Sequence, residues 1–174
     1  YLIPALGPAG EPIYPPLWTL PQTFTEHTFW AYDANAHKSF RASTEKKYTD
    51  IAAANTAWGT SFASWDDVTV LKPGERPGRY WDDMLTWYRD VKRDFIEWQC
   101  GKLAEYAAGT QKQVVVYIPG TEYTDREWDE AVASGDGSTS IKIMADSKFI
   151  IDLAAGKGYM LQYTGVENQP ESQK

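Results

Sequence analysis

Three glutamates stand where a carboxylate does chemistry in a protein of alternating strands and helices, just beyond apolar runs that read as strands. Glu11 follows the run 2–6, Glu122 follows 114–118, and Glu167 follows 159–164. In a barrel of parallel strands the catalytic groups gather at the C-terminal strand ends, so these positions are the ones to weigh. Two carboxylates across a cleft are the minimum equipment for glycoside hydrolysis. One, kept protonated by an apolar setting, protonates the leaving oxygen, while the other activates water or attacks carbon. Glu11 is flanked by Gly10 and Pro12 with Tyr14 near by, a dry setting that would raise its pKa and suit a general acid. Glu167 follows Tyr163-Thr164-Gly165, where a loop open to water would keep it ionised as general base. Any one acidic residue in such a loop reads equally well as a solvated charge or a cap for the next helix. Three of them, each with a glycine and an aromatic close in sequence, shift the balance toward chemistry. His27 and His37 have no ligand-like pattern around them, so neither a metal site nor a cofactor is expected.

Placing these groups requires strands and helices in alternation. The run 2–6 reads as a strand emptying into Gly7-Pro8-Ala9-Gly10, and residues 12–28, with four prolines, read as a long irregular loop carrying Tyr14, Trp18 and Phe24. Helical spacing at Phe29, Tyr32, Ala36 and Phe40 predicts a helix to about Tyr48, and a second short helix follows over 50–57. Gly59 fits its C-cap. The longest helix begins near Arg79. Its Trp81, Met84, Leu85, Tyr88, Val91, Phe95 and Trp98 fall on one face, read as core packing, with Asp82, Asp90, Arg93 and Asp94 between them. Gly109 closes it. Residues 114–118 read as a buried strand, and Thr124-Asp125-Arg126-Glu127 has capping-box spacing for a helix to about Val132. Residues 141–144 are a candidate third strand, Asp146 a candidate cap for a helix through Ala155, and 159–164 a fourth strand. The fold class is therefore α/β, with parallel β/α units that amount to half of an eight-stranded barrel and a long helical insertion. Residues 1–167 are expected to form this partial barrel domain and 168–174 a flexible tail.

Composition narrows the partners. The chain has 174 residues, with 17 Lys+Arg against 24 Asp+Glu and a formal charge of -7, which offers no footprint for nucleic acid or an anionic membrane surface. The 43% hydrophobic content with 24% charged residues is that of a folded globular protein. A single cysteine, Cys100, allows neither an intramolecular disulfide nor a cysteine-based zinc cluster. No apolar run approaches the roughly 20 residues of a membrane span, and Tyr1-Leu2-Ile3-Pro4 lacks the features of a signal peptide, so the expectation is a soluble protein with a trimmed start. A secreted or periplasmic location is favoured over a cytoplasmic one. The 8 Trp and 11 Tyr are read first as core, and Tyr14, Trp18 and Tyr123 also as platforms on which sugar C–H faces could stack.

Gly7-Pro8-Ala9-Gly10-Glu11 followed by Tyr14-Pro15 resembles the active-site signature of β-amylases, Gly-Pro-Ala-Gly-Glu-Leu-Arg-Tyr-Pro, which carries the general-acid glutamate. Met160-Leu161-Gln162-Tyr163-Thr164-Gly165-Val166-Glu167 is similar to the segment bearing that family's general base. Phe40-Arg41 with Lys47-Tyr48, and Asn55-Thr56-Ala57-Trp58-Gly59-Thr60, look like a segment shared by β-amylase-like and bacterial β-galactosidase-like barrel enzymes. The resemblance implies strands four to seven of a TIM barrel, completed by other chain segments or subunits, and a glycosidase that hydrolyses a glucan or other oligosaccharide by inversion. It implies Glu11 as acid and Glu167 as base, with Tyr14, Trp18, Thr121, Glu122, Tyr123 and Asn168 as substrate-binding positions. Ile13 stands where the family has Arg, Pro16 where it has Ser, and the family's inner loop is matched only at Gly120. Two alternatives stay open: a non-catalytic carbohydrate-binding or structural homologue, and a retaining enzyme of β-galactosidase type.

Overall fold

The structure, a computed structural model, describes residues 1–4, 29–118, 123–137 and 146–163. These fall into two compact units, one formed by 1–4, 91–118, 123–124 and 146–163, the other by 29–90 and 125–137.

The second unit is helical and aromatic. Helix α1 spans Ala34–Lys47 and begins later than the apolar spacing predicts, because the Asp33 carboxylate accepts the Asn35 and Ala36 N–H groups and fixes the N-terminus there. Upstream, Phe29 and Ala31 are buried and Trp30 is half exposed in irregular chain with a bend at Trp30. Helix α2, Ile51–Trp58, starts at Asp50, whose side chain accepts from the Ala53 N–H, and stops at Gly59 in the left-handed conformation (φ 66°). The C-cap expected at Gly59 is thus present. A short 3-10 turn, Trp65–Asp67, precedes the buried residues Val68, Val70 and Leu71. His37 Nδ1 accepts the Val70 N–H at 3.0 Å, and Tyr80 Oη donates to the Thr69 carbonyl while accepting the Thr69 N–H. These bonds satisfy backbone that no sheet supports.

Helix α3, Arg79–Ala107, runs 29 residues. In this unit it buries Tyr80, Trp81, Met84, Leu85, Trp87 and Tyr88, around which Phe29 packs edge-on to Trp81 and Tyr88. Burial of each such ring contributes about 1.5–3 kcal/mol. Helix α4, Asp125–Ser134, attaches to α3 through Trp128, whose Nε1 donates to Asp82 Oδ1 and whose ring lies 4.8 Å beneath the Arg89 guanidinium. Gly135 follows with φ 63°, and a Cβ there would meet Pro77 at 3.2 Å.

The first unit holds the sheet. Strand β1, Val115–Ile118, and strand β2, Met160–Tyr163, pair in parallel with Val115 opposite Met160 and Ile118 opposite Tyr163. Val114 also forms a parallel bridge with Leu2, so β1 lies between the two and buries Val114, Val115 and Val116. The crossover to β2 uses helix α5, Ser147–Lys157. Its Ile150 and Leu153 share a core with Ile96, Cys100, Val114 and Val116.

Two expectations need correction. Val91, Phe95 and Trp98 are exposed, the last two stacked on each other, while Lys92, Ile96 and Cys100 are the buried row in this part of α3. A stripe spaced alternately by three and four drifts around a helix of 3.6 residues per turn. Over a helix this long the apolar stripe and the buried row part company. Asp146 does occupy the N-cap position of α5, but it makes no capping hydrogen bond, because its carboxylate is engaged by Arg93. The candidate strand at 141–144 and the tail 168–174 lie outside the described residues.

Candidate functional site

Parallel pairing gives Leu2, β1 and β2 one direction, so the chain runs past Ile118 and past Tyr163 at the same end of the sheet. In the sequence, Glu122 follows β1 and Glu167 follows β2. Glu11, Tyr14, Trp18, Thr121, Glu122, Glu167 and Asn168 lie outside the described residues. Tyr123 is described: it is half-buried and sits two residues before α4.

The motif over 40–60 is described in full, and it converges on a residue that the sequence did not single out. Asp83, with its side chain 1% exposed, accepts three hydrogen bonds and forms a further ion pair. Lys47 Nζ reaches Oδ1 at 2.6 Å and Arg79 Nε reaches it at 3.3 Å; Tyr48 Oη donates to Oδ2 at 2.6 Å and Trp58 Nε1 at 2.8 Å. A buried carboxylate is tolerable only with such saturation. Burial first, and then the hydrogen bond to Asp83, push the Tyr48 phenol above its ordinary pKa, so it stays a donor. Trp58 stacks on Tyr80 at 4.6 Å and 13°. The remaining motif residues also look inward. Phe40 is buried, Arg41 Nε donates to the Val68 carbonyl, and Asn55 ties its loop by donating to the Phe62 carbonyl and accepting from Phe62 N–H and Thr60 Oγ1.

Asp83 was findable. It sits inside the continuous buried stretch of α3 around Trp81 and Met84, and Lys47, Tyr48 and Trp58 are all donors in need of an acceptor. This centre reads as a scaffold: both carboxylate oxygens are engaged by Lys47, Arg79, Tyr48 and Trp58, which ties the motif to α3. Among the described residues there is no group of three or more His, Cys, Asp or Glu able to hold a metal ion, and no helix long and apolar enough to cross a membrane.

A helix-rich chain with two parallel strands and a helix between them is compatible with part of an α/β fold. The model of glycosyl hydrolase family 14 matches residues 2–114, and the chain belongs to that family. It is 33% identical over 96 residues to a thermophilic beta-amylase of Thermoanaerobacterium thermosulfurigenes, covering 49% of this chain and 17% of that protein. With a beta-amylase of Cytobacillus firmus it shares 31% identity over 97 residues, covering 49% of this chain and 20% of the relative. The matched stretch thus spans a fifth or less of these relatives. No solved structure matches the chain.

Proposed function

We propose that the chain is the segment of an inverting glycoside hydrolase that carries both catalytic carboxylates, Glu11 as general acid and Glu167 as general base, with other chain segments or subunits completing the barrel. The observation that carries this reading is family membership over 2–114, a stretch that includes Gly7-Pro8-Ala9-Gly10-Glu11. Both relatives quoted are beta-amylases, which favours a glucan as substrate. Glu167 lies beyond the matched stretch. Its role rests on the similarity of 160–167 to the base-bearing segment, and the common direction of β1 and β2 supports it.

In this mechanism the Glu11 carboxyl passes its proton to the glycosidic oxygen as the bond to the anomeric carbon breaks. Glu167 takes a proton from the water that attacks the opposite face, which requires the carboxyls to stand about 6.5–9.5 Å apart. Tyr14, Trp18, Thr121, Glu122, Tyr123 and Asn168 are the substrate contacts, the aromatic rings stacking on sugar C–H faces. A secreted or periplasmic location goes with a polymeric substrate.

Ile13 in place of Arg, together with the altered loop at Thr121-Glu122-Tyr123, favours a second reading, a homologue that binds carbohydrate without cleaving it. The test is Glu11→Gln and Glu167→Gln in the full-length protein. Turnover should fall by orders of magnitude in each. Near-normal hydrolysis by either variant overturns the assignment, and oligosaccharide binding by the unaltered protein without product selects the second reading.

A further inference from the structure

The second half of α3 is buried on one side and bare on the other. Ile96 and Cys100 face the core shared with Val114, Val116 and α5, while Val91, Phe95, Trp98 and Tyr106 are 39%, 50%, 58% and 80% exposed. At about 100° per residue these four positions, with Lys102 among them, fall on one side of the helix within about 80°. The Phe95 and Trp98 rings stack on each other, centroids 5.9 Å apart and planes 26° apart. From Phe95 to Tyr106 the stripe runs about 16 Å along the helix axis. A lone exposed ring is ordinary, but three along one side of one helix make a surface feature that the core does not use.

The charged residues of this face decide its occupant. Lys102 and Glu105, 55% and 68% exposed and paired at 2.8 Å, lie between Trp98 and Tyr106 in the chain. Exposed Asp94 precedes Phe95, and Glu97, which precedes Trp98, stands 4.0 Å from Lys157. Paired with a second copy along the seam 91, 95, 98, 102 and 105, the face would drive Lys102 and Glu105 into the centre of an interface, where protein partners are depleted of both. Asp94, Glu97 and Glu105 against Lys102 and Lys157 leave no basic surplus for an anionic membrane. A neutral polyhydroxylated chain suits both components. Its C–H faces lie on the rings, and its hydroxyls donate to carboxylates and accept from ammonium groups. We infer that Phe95, Trp98 and Tyr106, with Lys102 and Glu105, form an accessory glucan-binding site, which holds the polymer through groups other than the proposed catalytic carboxylates. The inference rests on the reading of the substrate as a glucan, which membership of glycosyl hydrolase family 14 supports.

The test measures binding of the full-length protein to insoluble starch granules, beside kcat and KM on the short soluble substrate maltotetraose. Phe95→Ala combined with Trp98→Ala should weaken granule binding about tenfold, while kcat and KM on maltotetraose stay within about twofold. Trp98→Tyr, which keeps a ring, should retain most of the binding. Tyr106→Ala, at the most exposed ring, should also weaken it and serves where the double variant does not fold. Unchanged granule binding by these variants, or hydrolysis of starch without granule binding by the unaltered protein, overturns the accessory site alone. A dimer of the unaltered protein that the double variant dissociates shows a contact between copies and overturns it as well. Neither binding nor hydrolysis of starch by the unaltered protein overturns the glucan reading and this proposal with it.

Discussion

Trp58 and Asp83 meet in the interior of the helical unit, the indole Nε1 donating to Oδ2 at 2.8 Å with both side chains buried. The bond joins the last residue of α2 to the first turns of α3, and Tyr48 and Lys47 bring the end of α1 to the same carboxylate. Three helices are therefore registered on one acidic residue.

Asp83→Ala should strongly destabilise that unit. It strands the Trp58 and Tyr48 donors and removes the carboxylate from Lys47, while Arg79 keeps Asp82, for a loss of about 3 kcal/mol in urea unfolding. Lys47 and Arg79 are 38% and 48% exposed, so water screens their share, and the indole and phenol donors account for most of the loss. Tyr48→Phe, which removes one donor, should cost about 1 kcal/mol. A loss below that for Asp83→Ala would mean the carboxylate is not the hub described above.

Cys100 is fully buried, and burial pushes its thiol from 9.0 up to about 11. The folded state therefore keeps the proton that the unfolded chain releases first. The thiol's contribution is complete below pH 9, declines as pH rises, and is gone above about 11. Two units correspond to about 2–3 kcal/mol. Tyr80, raised first by burial, acts in the same direction. Unfolding free energies at pH 8 and pH 11 should differ less in Cys100→Ala than in the parent, and the native thiol should resist a disulfide reagent until denaturant is added. Rapid labelling of native protein would contradict the burial.

Two glycines with open space around them should respond oppositely to alanine. Gly59 sits at φ 66°, and an added Cβ meets nothing within 4 Å, so Gly59→Ala should cost about 1 kcal/mol from backbone strain alone. Gly101, equally unobstructed, lies within α3, and Gly101→Ala should stabilise by about 0.5–1 kcal/mol. Melting temperatures should therefore move apart, and a shift of the same sign in both would refute the argument.

An inverting enzyme releases first the anomer opposite in configuration to the bond it cleaves. Proton NMR of the earliest product, before mutarotation, should show that anomer. Release of the retained anomer would instead favour the β-galactosidase-type alternative.

Local signals in the sequence located most elements. The Asp50 start and Gly59 stop of α2, the start of α3 at Arg79 and the parallel run 115–118 follow from capping residues, glycines and apolar continuity. Where tertiary packing decides, those signals mislead. Phe29 and Tyr32 carry helical spacing but lie outside the helix, and Val91, Phe95 and Trp98 continue an apolar stripe after the buried row has moved to Ile96 and Cys100. Arg93 reads as a solvated charge on α3 and Asp146 as a simple cap, because nothing local announces that residues 53 apart pair. The convergence on Asp83 is equally non-local, since Lys47, Tyr48, Trp58 and Arg79 reach it from three helices, although the donors themselves signal the need for an acceptor. The carboxylates at 11, 122 and 167 rest on motif and strand polarity.

The saturation of Asp83 bears on how members of such a family are recognised. Phe40, Arg41, Lys47, Tyr48, Asn55 and Trp58 spend their polar atoms and rings on one another and on the chain around them. A search pattern built on those residues therefore selects for an architecture and is blind to chemistry. A descendant could lose the carboxylates proposed for catalysis, keep every one of these letters, and still be retrieved as a member of the family.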